Sequence, residues 1–163
     1  NGQRGKVAIF KLDDKTGTLE ATADEGLIHA HKALLKDDEL VIAQVMAQPD
    51  RFSGGLRLKV QQLWGLGAAR CRFGKFLRVV VNGRAPEVAK LVKAFPPQRE
   101  VSEQGELFRG LTVRLKLERK ADNVAASAEL SLGEQAKFFP SDAALSSWIA
   151  QADQGKAEIV YEI

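Results

Sequence analysis

Residues 5 to 20, Gly-Lys-Val-Ala-Ile-Phe-Lys-Leu-Asp-Asp-Lys-Thr-Gly-Thr-Leu-Glu, hold two short extended runs joined by a polar turn. Val7 to Leu12 combines apolar and β-forming residues over strand length. The Asp13-Asp14-Lys15-Thr16-Gly17 cluster supplies the side-chain acceptors and the positive-φ position that a turn needs. The stretch is therefore expected to be a hairpin. A helix-like segment, a strand, a turn at Ser53-Gly54-Gly55 and another strand follow it, which is the element order of a small barrel. The strands are expected at about 6–12, 18–23, 39–48 and 56–64.

Residues 24 to 36 change period: Leu27, Ile28, Ala30, Leu34 and Leu35 form an apolar helical stripe behind an Asp24-Glu25 start. Glu39 to Ala47 and Leu56 to Val60 return to alternation. Leu56, Leu58 and Val60 point one way and Arg57 and Lys59 the other. Residues 65 to 75 read as a linker or short helix, which sets a first domain at 1–64 and a second at 76–163. In the second, strands are expected from Phe76 to Val81, Leu111 to Leu117, Ala126 to Leu132 and Lys156 to Ile163. Helices are expected after Pro86 and after Pro140-Ser141-Asp142, and the segment between Pro97 and Leu111 reads as a polar loop. The order is βαββαβ, which suits a split-βαβ sandwich.

The sequence lacks the run of roughly 18 apolar residues that a membrane helix requires, and no signal pattern opens it. One cysteine, Cys71, excludes an internal disulfide framework and fits a reducing cytoplasm. The net charge of +3 is unevenly spread. Residues 1 to 75 hold 12 Lys/Arg against 9 Asp/Glu, and residues 76 to 163 hold 12 of each. The electrostatic term that dominates nucleic-acid binding therefore favours the first half.

No catalytic constellation emerges. Asp13 and Asp14 are turn formers, because adjacent strand residues face opposite ways. His29 and His31 are two apart, which points them to different faces of a helix. Cys71 lies between Arg70 and Arg72, a setting that lowers a thiol pKa, yet has no histidine near it in sequence. Gly65-Leu66-Gly67 lacks the strand-helix context of a phosphate cradle. Neither a cofactor nor a metal is expected.

Gly5-Lys6, Ala8-Ile9-Phe10, Leu12-Asp13-Asp14 and Thr16-Gly17, followed by Arg51-Phe52-Ser53-Gly54-Gly55-Leu56-Arg57-Leu58, resemble the OB-fold of the alpha subunit of bacterial DNA polymerase III. The α+β tail resembles that subunit's C-terminal tau-binding region, so the likeness covers nearly all of the chain. It implies an OB barrel followed by an α+β domain. An OB barrel has five strands and four can be counted, so the first strand is missing and the chain is expected to be a fragment of a longer protein. Ala23 departs from the family, which often carries a bulky aromatic at that position.

The resemblance implies a non-catalytic part of a DNA-directed DNA polymerase in the cytoplasmic replisome. Its implied partners are single-stranded DNA, the tau subunit of the clamp loader and the rest of the alpha chain, with no membrane. On an OB-fold, Arg4, Lys6, Lys11, Lys15, Arg51, Arg57 and Lys59 come from the two hairpins that frame the ligand groove. Phe52 or Phe10 offers a stacking face, although Phe10 suits the core equally. Trp148, Tyr161 and Ile163 are candidates for a partner surface, with the core as the alternative for Trp148. Two other classes remain open: an OB module for tRNA or other RNA, and a scaffold without nucleic-acid binding.

Overall fold

The computed structural model describes residues 7 to 50, 54 to 102, 105 to 121 and 124 to 162. The chain divides into two units, Asn1–Leu66 and Gly67–Ile163. Both are rich in β-structure.

In the first unit β1 (Val7–Asp13) pairs antiparallel with β2 (Thr18–Asp24), from Val7 opposite Asp24 to Asp13 opposite Thr18. The turn is closed by side chains: Asp13 Oδ1 accepts from the Lys15 N–H at 2.7 Å, and Asp14 Oδ1 accepts from the N–H groups of Thr16 and Gly17 at 2.9 and 3.0 Å. Lys15 takes the left-handed position at φ 67°. Gly17 does not. Asp24 then caps α1 (Glu25–Ala30), accepting from the Leu27 N–H at 3.0 Å. The helix is shorter than the apolar stripe suggests. Residues 31 to 34 tighten into a turn that brings Leu34 against Gly65, where an added Cβ would lie 3.2 Å from Leu34 Cδ2.

The remaining strands are β3 (Val41–Pro49) and β4 (Leu56–Gly65), antiparallel with a bulge between Gln44 and Val45. Sheet order is β1-β2-β4-β3, and β2 runs parallel to β4. β1 and β3 are the edges of this sheet, so the barrel expected from the sequence is an open sheet among the described residues. Alternation sends Ala21 and Ala23 inward, and the register shift opposite Gln44 and Val45 lets Val60 and Leu63, three apart on β4, both join them in a core shared with Phe10, Leu12, Leu27 and Ile28. Ala23 is buried within it.

The second unit starts within α2 (Leu66–Phe73) and continues with β5 (Phe76–Val80), α3 (Val88–Ala94), β6 (Gln98–Ser102), β7 (Gly105–Arg109), β8 (Thr112–Ala121), β9 (Val124–Ser131), α4 (Asp142–Gln151) and β10 (Ala157–Val160). Its main sheet has the order β10-β5-β8-β9. Two features depart from the sequence reading. β5 and β8 are direct parallel neighbours, from Phe76 opposite Thr112 to Val80 opposite Lys116, whereas a split βαβ would place a strand between them. The presumed polar loop contains the antiparallel ribbon β6–β7, a sheet of two strands. Ser141 caps α4 as expected, accepting from the Ala144 N–H at 3.2 Å.

Leu77, Val79 and Val81 meet Leu91 of α3 and Ala144 and Trp148 of α4 in one core, with Val113, Leu115 and Phe138. Trp148 is 0% exposed, and its ring centroid lies 5.4 Å from that of Phe138. It is a core residue and is removed from the candidate partner surface. Trp148→Ala is expected to destabilise the second unit by about 3–5 kcal/mol, and Ser141→Ala by about 1 kcal/mol, in denaturant unfolding. A Trp148→Ala variant as stable as the parent would contradict this packing.

Candidate nucleic-acid interface

The first sheet sorts the candidate cations by register. Inward, Phe10 faces Ala21, Ala21 faces Leu58 and Leu58 faces Ala47. Phe10 is partly buried and packs against the core. On the outward row Ile9 stands opposite Thr22, Thr22 opposite Lys59, and Lys59 opposite Met46. One step along, Lys11 stands opposite Glu20 and Arg57 opposite Gln48. Lys11, Arg57 and Lys59 therefore share the outward face, and Lys15 sits at the tip of the first hairpin. Arg4, Lys6, Arg51 and Phe52 lie outside the described residues, as does Ile163.

The same face carries acids. Arg57 Nη2 is 3.5 Å from Asp50 Oδ1, and Lys59 Nζ is 3.7 Å from Asp24 Oδ2. Thr22 Oγ1 donates to the Leu58 carbonyl at 3.1 Å, reinforcing the parallel pairing that aligns Lys59 with this row. On the inner side, between the hairpin, the residues after α1 and β3, an open cavity of about 1480 Å³ is lined by Phe10, Leu12, Ile28, Leu34, Val41 and Leu63. Its rim is mixed in charge, with Lys15, Lys32 and Lys36 near Asp14, Asp37 and Asp38.

Other candidates resolve plainly. His29 pairs with Glu25 at 3.8 Å along α1, and among the described residues no cluster of His, Cys, Asp and Glu could hold a metal ion. Burial pushes the Cys71 thiol pKa up, and the nearby Arg109 and Lys137 only partly oppose it. Sequence neighbours suggested the opposite direction. Arg70, one of them, instead bonds Asp142 at 2.6 Å and the Pro140 carbonyl at 3.0 Å. Tyr161 is 48% exposed just after β10 and remains available to a partner.

Sequence reasoning missed a second exposed feature. The β6–β7 ribbon shows Val101, Leu107 and Phe108 to solvent and is braced by cross-strand pairs of Arg99 with Glu106 and Arg109 with Glu100. Its sequence carries only a partial signal: Glu100 stands beside Val101, and the adjacent Leu107 and Phe108 are flanked by Glu106 and Arg109, which is not strict alternation. The glutamates disguised it as a loop.

No protein-family model matches the chain. Curated proteins do. The DNA polymerase III subunit alpha of Pseudomonas aeruginosa is 29% identical over 142 residues, covering 87% of this chain and 11% of that protein. The same subunit of Haemophilus influenzae is 26% identical over 159 residues, covering 96% of this chain and 13% of the relative. That of Pseudomonas fluorescens is 33% identical over 79 residues, 48% of this chain and 7% of the relative. No solved structure matches. The chain is related to the DNA polymerase III alpha subunit, and it spans about a tenth of the length of these curated relatives.

The turn that carries Lys15 depends on Asp14. Hydrogen bonds from Thr16, first its hydroxyl at 2.7 Å, and from the Gly17 N–H hold its carboxyl below the usual carboxylate range. A depressed folded-state pKa means that the stabilisation is present above the ordinary carboxylate value and is lost as pH falls through the folded value. Protection of the Thr16 and Gly17 amides against exchange, relative to the intrinsic rate at each pH, should therefore fall in acid below the ordinary value. In Asp14→Asn that acid-dependent step should vanish.

Proposed function

We propose that the chain is a non-catalytic C-terminal part of a replicative DNA polymerase alpha subunit, with an OB-type first unit that touches single-stranded DNA and a second unit that docks the tau subunit of the clamp loader. The observation that carries this reading is the likeness to alpha subunits over 87 to 96% of the chain. The OB assignment draws support from the strand order β1-β2-β4-β3 with its parallel β2·β4 pair and α1 in the connection between β2 and β3. If β1 corresponds to the second strand of a five-stranded barrel, the open edges of β1 and β3 are where the first strand would pair. Cytoplasmic location and attachment to the rest of a polymerase chain follow from the same reading.

The DNA contact is assigned to Lys11, Lys15, Arg57 and Lys59, with Arg4, Lys6, Arg51 and Phe52 as further members from the sequence. Three phosphates neutralised on a single strand give a slope of log affinity against log salt of roughly −2. Arg57→Ala with Lys59→Ala should flatten it by about one unit. Binding of single-stranded DNA with an unaltered slope in that double variant would move the groove elsewhere. A preference for RNA over DNA of the same sequence would favour an RNA-binding OB module instead.

A second reading, a scaffold without nucleic-acid contact, has one observation in its favour. Arg57 and Lys59 already face Asp50 and Asp24, and Glu20 stands opposite Lys11. It predicts no DNA binding at any salt concentration. For the second unit, Tyr161 is the assigned tau contact, with Ile163 two residues on in sequence. Tyr161→Ala should weaken tau binding by about 1–2 kcal/mol with an unchanged circular dichroism spectrum. Undiminished binding would remove Tyr161 from the contact.

A further inference from the structure

We propose that Asn82-Gly83 is a self-modifying site, at which the Asn82 side chain closes onto the Gly83 backbone nitrogen and is converted to aspartate or isoaspartate, loosening the second unit. Asn82 lies in the exposed bend after β5, and Gly83 follows at φ 139°, a backbone conformation that favours glycine. Glycine also leaves its nitrogen unshielded by a side chain. The Asn82 amide is held at both ends. Its Oδ1 accepts from the Glu118 N–H of β8 at 2.8 Å, and its Nδ2 donates to Asp153 Oδ2, beyond α4, at 3.3 Å.

The first of those bonds bears on reactivity. When the Gly83 nitrogen, its proton removed by hydroxide, attacks Asn82 Cγ, negative charge gathers on Oδ1. The Glu118 N–H already donates to that oxygen at 2.8 Å, so a fixed donor is in place as the charge develops. The N–Cγ bond forms, the Cγ–Nδ2 bond breaks, and nitrogen leaves as ammonia after taking a proton from water. Water then opens the cyclic imide at either carbonyl. No oxidant, reductant or further co-reactant is required.

The second bond bears on the consequence. Asn82 ties the end of β5 to β8 and to the turn that follows α4. An aspartate there still accepts from the Glu118 N–H, but it puts a carboxylate where an amide had donated to Asp153. Two like charges at that spacing repel, and the tie to Asp153 is lost. The product therefore keeps one link and breaks the other.

Two measurements on the full chain test this. On ageing at mildly alkaline pH, peptide mass mapping should find acid at Asn82 sooner than at Asn123, whose following residue, Val124, carries a branched side chain. N82D should lower the thermal midpoint, and N82D/D153N, which restores a donor facing an acceptor with the roles exchanged, should recover at least half of the loss. Should N82D fail to fold, the double variant is still expected to fold. Conversion at Asn82 no faster than at Asn123, an N82D midpoint equal to the parent's, or a double variant no better than N82D would each overturn the proposal.

Discussion

Each of the two four-stranded sheets contains one parallel strand pair, β2 with β4 and β5 with β8, and parallel neighbours cannot be joined by a tight turn. The chain has to return to the same end of the sheet by a longer route. In the first unit that route carries α1 and β3, and in the second it carries α3 and the β6–β7 ribbon. Both helices are thereby delivered to their cores. α1 contributes Leu27 and Ile28, and α3 contributes Leu91 with Val88 and Val92. Antiparallel hairpins then extend the sheets outward from these pairs: β1 beside β2, β3 beside β4 and β9 beside β8.

The central position of β5 explains an otherwise odd sequence of burial. Phe76 and Leu77 are adjacent on a strand and point to opposite faces, yet both are buried. Leu77 meets the helices. Phe76 is on the face without them, where Arg114 lies over its ring at 3.9 Å and Arg78 at 5.5 Å. Glu129 and Glu158 hold Arg78 at 2.9 and 3.1 Å, so the aromatic ring is sealed by charged side chains and their apolar stems. The cations of this face are engaged in its packing, and the even count of acids and bases in the second half is organised rather than incidental.

Strands with one buried side were legible in the sequence, because alternation reports that burial directly: Leu58 and Val60 against Arg57 and Lys59 is an example. Capping was legible too, since Asp24 and Ser141 act through local geometry. Four features were not. The β6–β7 ribbon has both faces wet, so the contrast between apolar and polar positions that marks a half-buried strand is missing. The helix at residues 25 to 30 stops short of its stripe because Leu34 is satisfied by packing near Gly65 from a turn. The adjacency of β5 and β8 is a long-range pairing that local pattern does not encode, and the burial of Trp148 could be read either way from an apolar helix stripe.

The candidate site shows the same division between local and long-range information. Composition assigns the first half a surplus of three positive charges, a statement about the field at a distance, and register then sets an acid beside or opposite three of the four described cations. At contact range an approaching phosphate meets pairs rather than bare charges. Pairs of this kind are weak, however. The exposed Arg57 and Lys59 side chains sit 3.5 and 3.7 Å from their acids, a geometry whose net worth is about 0–1 kcal/mol in water. A phosphate therefore competes against little, and exchanging one acidic partner for another releases the counterions that drive nucleic-acid association. Under the proposed reading, such pairing weakens phosphate contact without closing the face. What the cations keep is their common orientation, which the parallel β2·β4 register imposes.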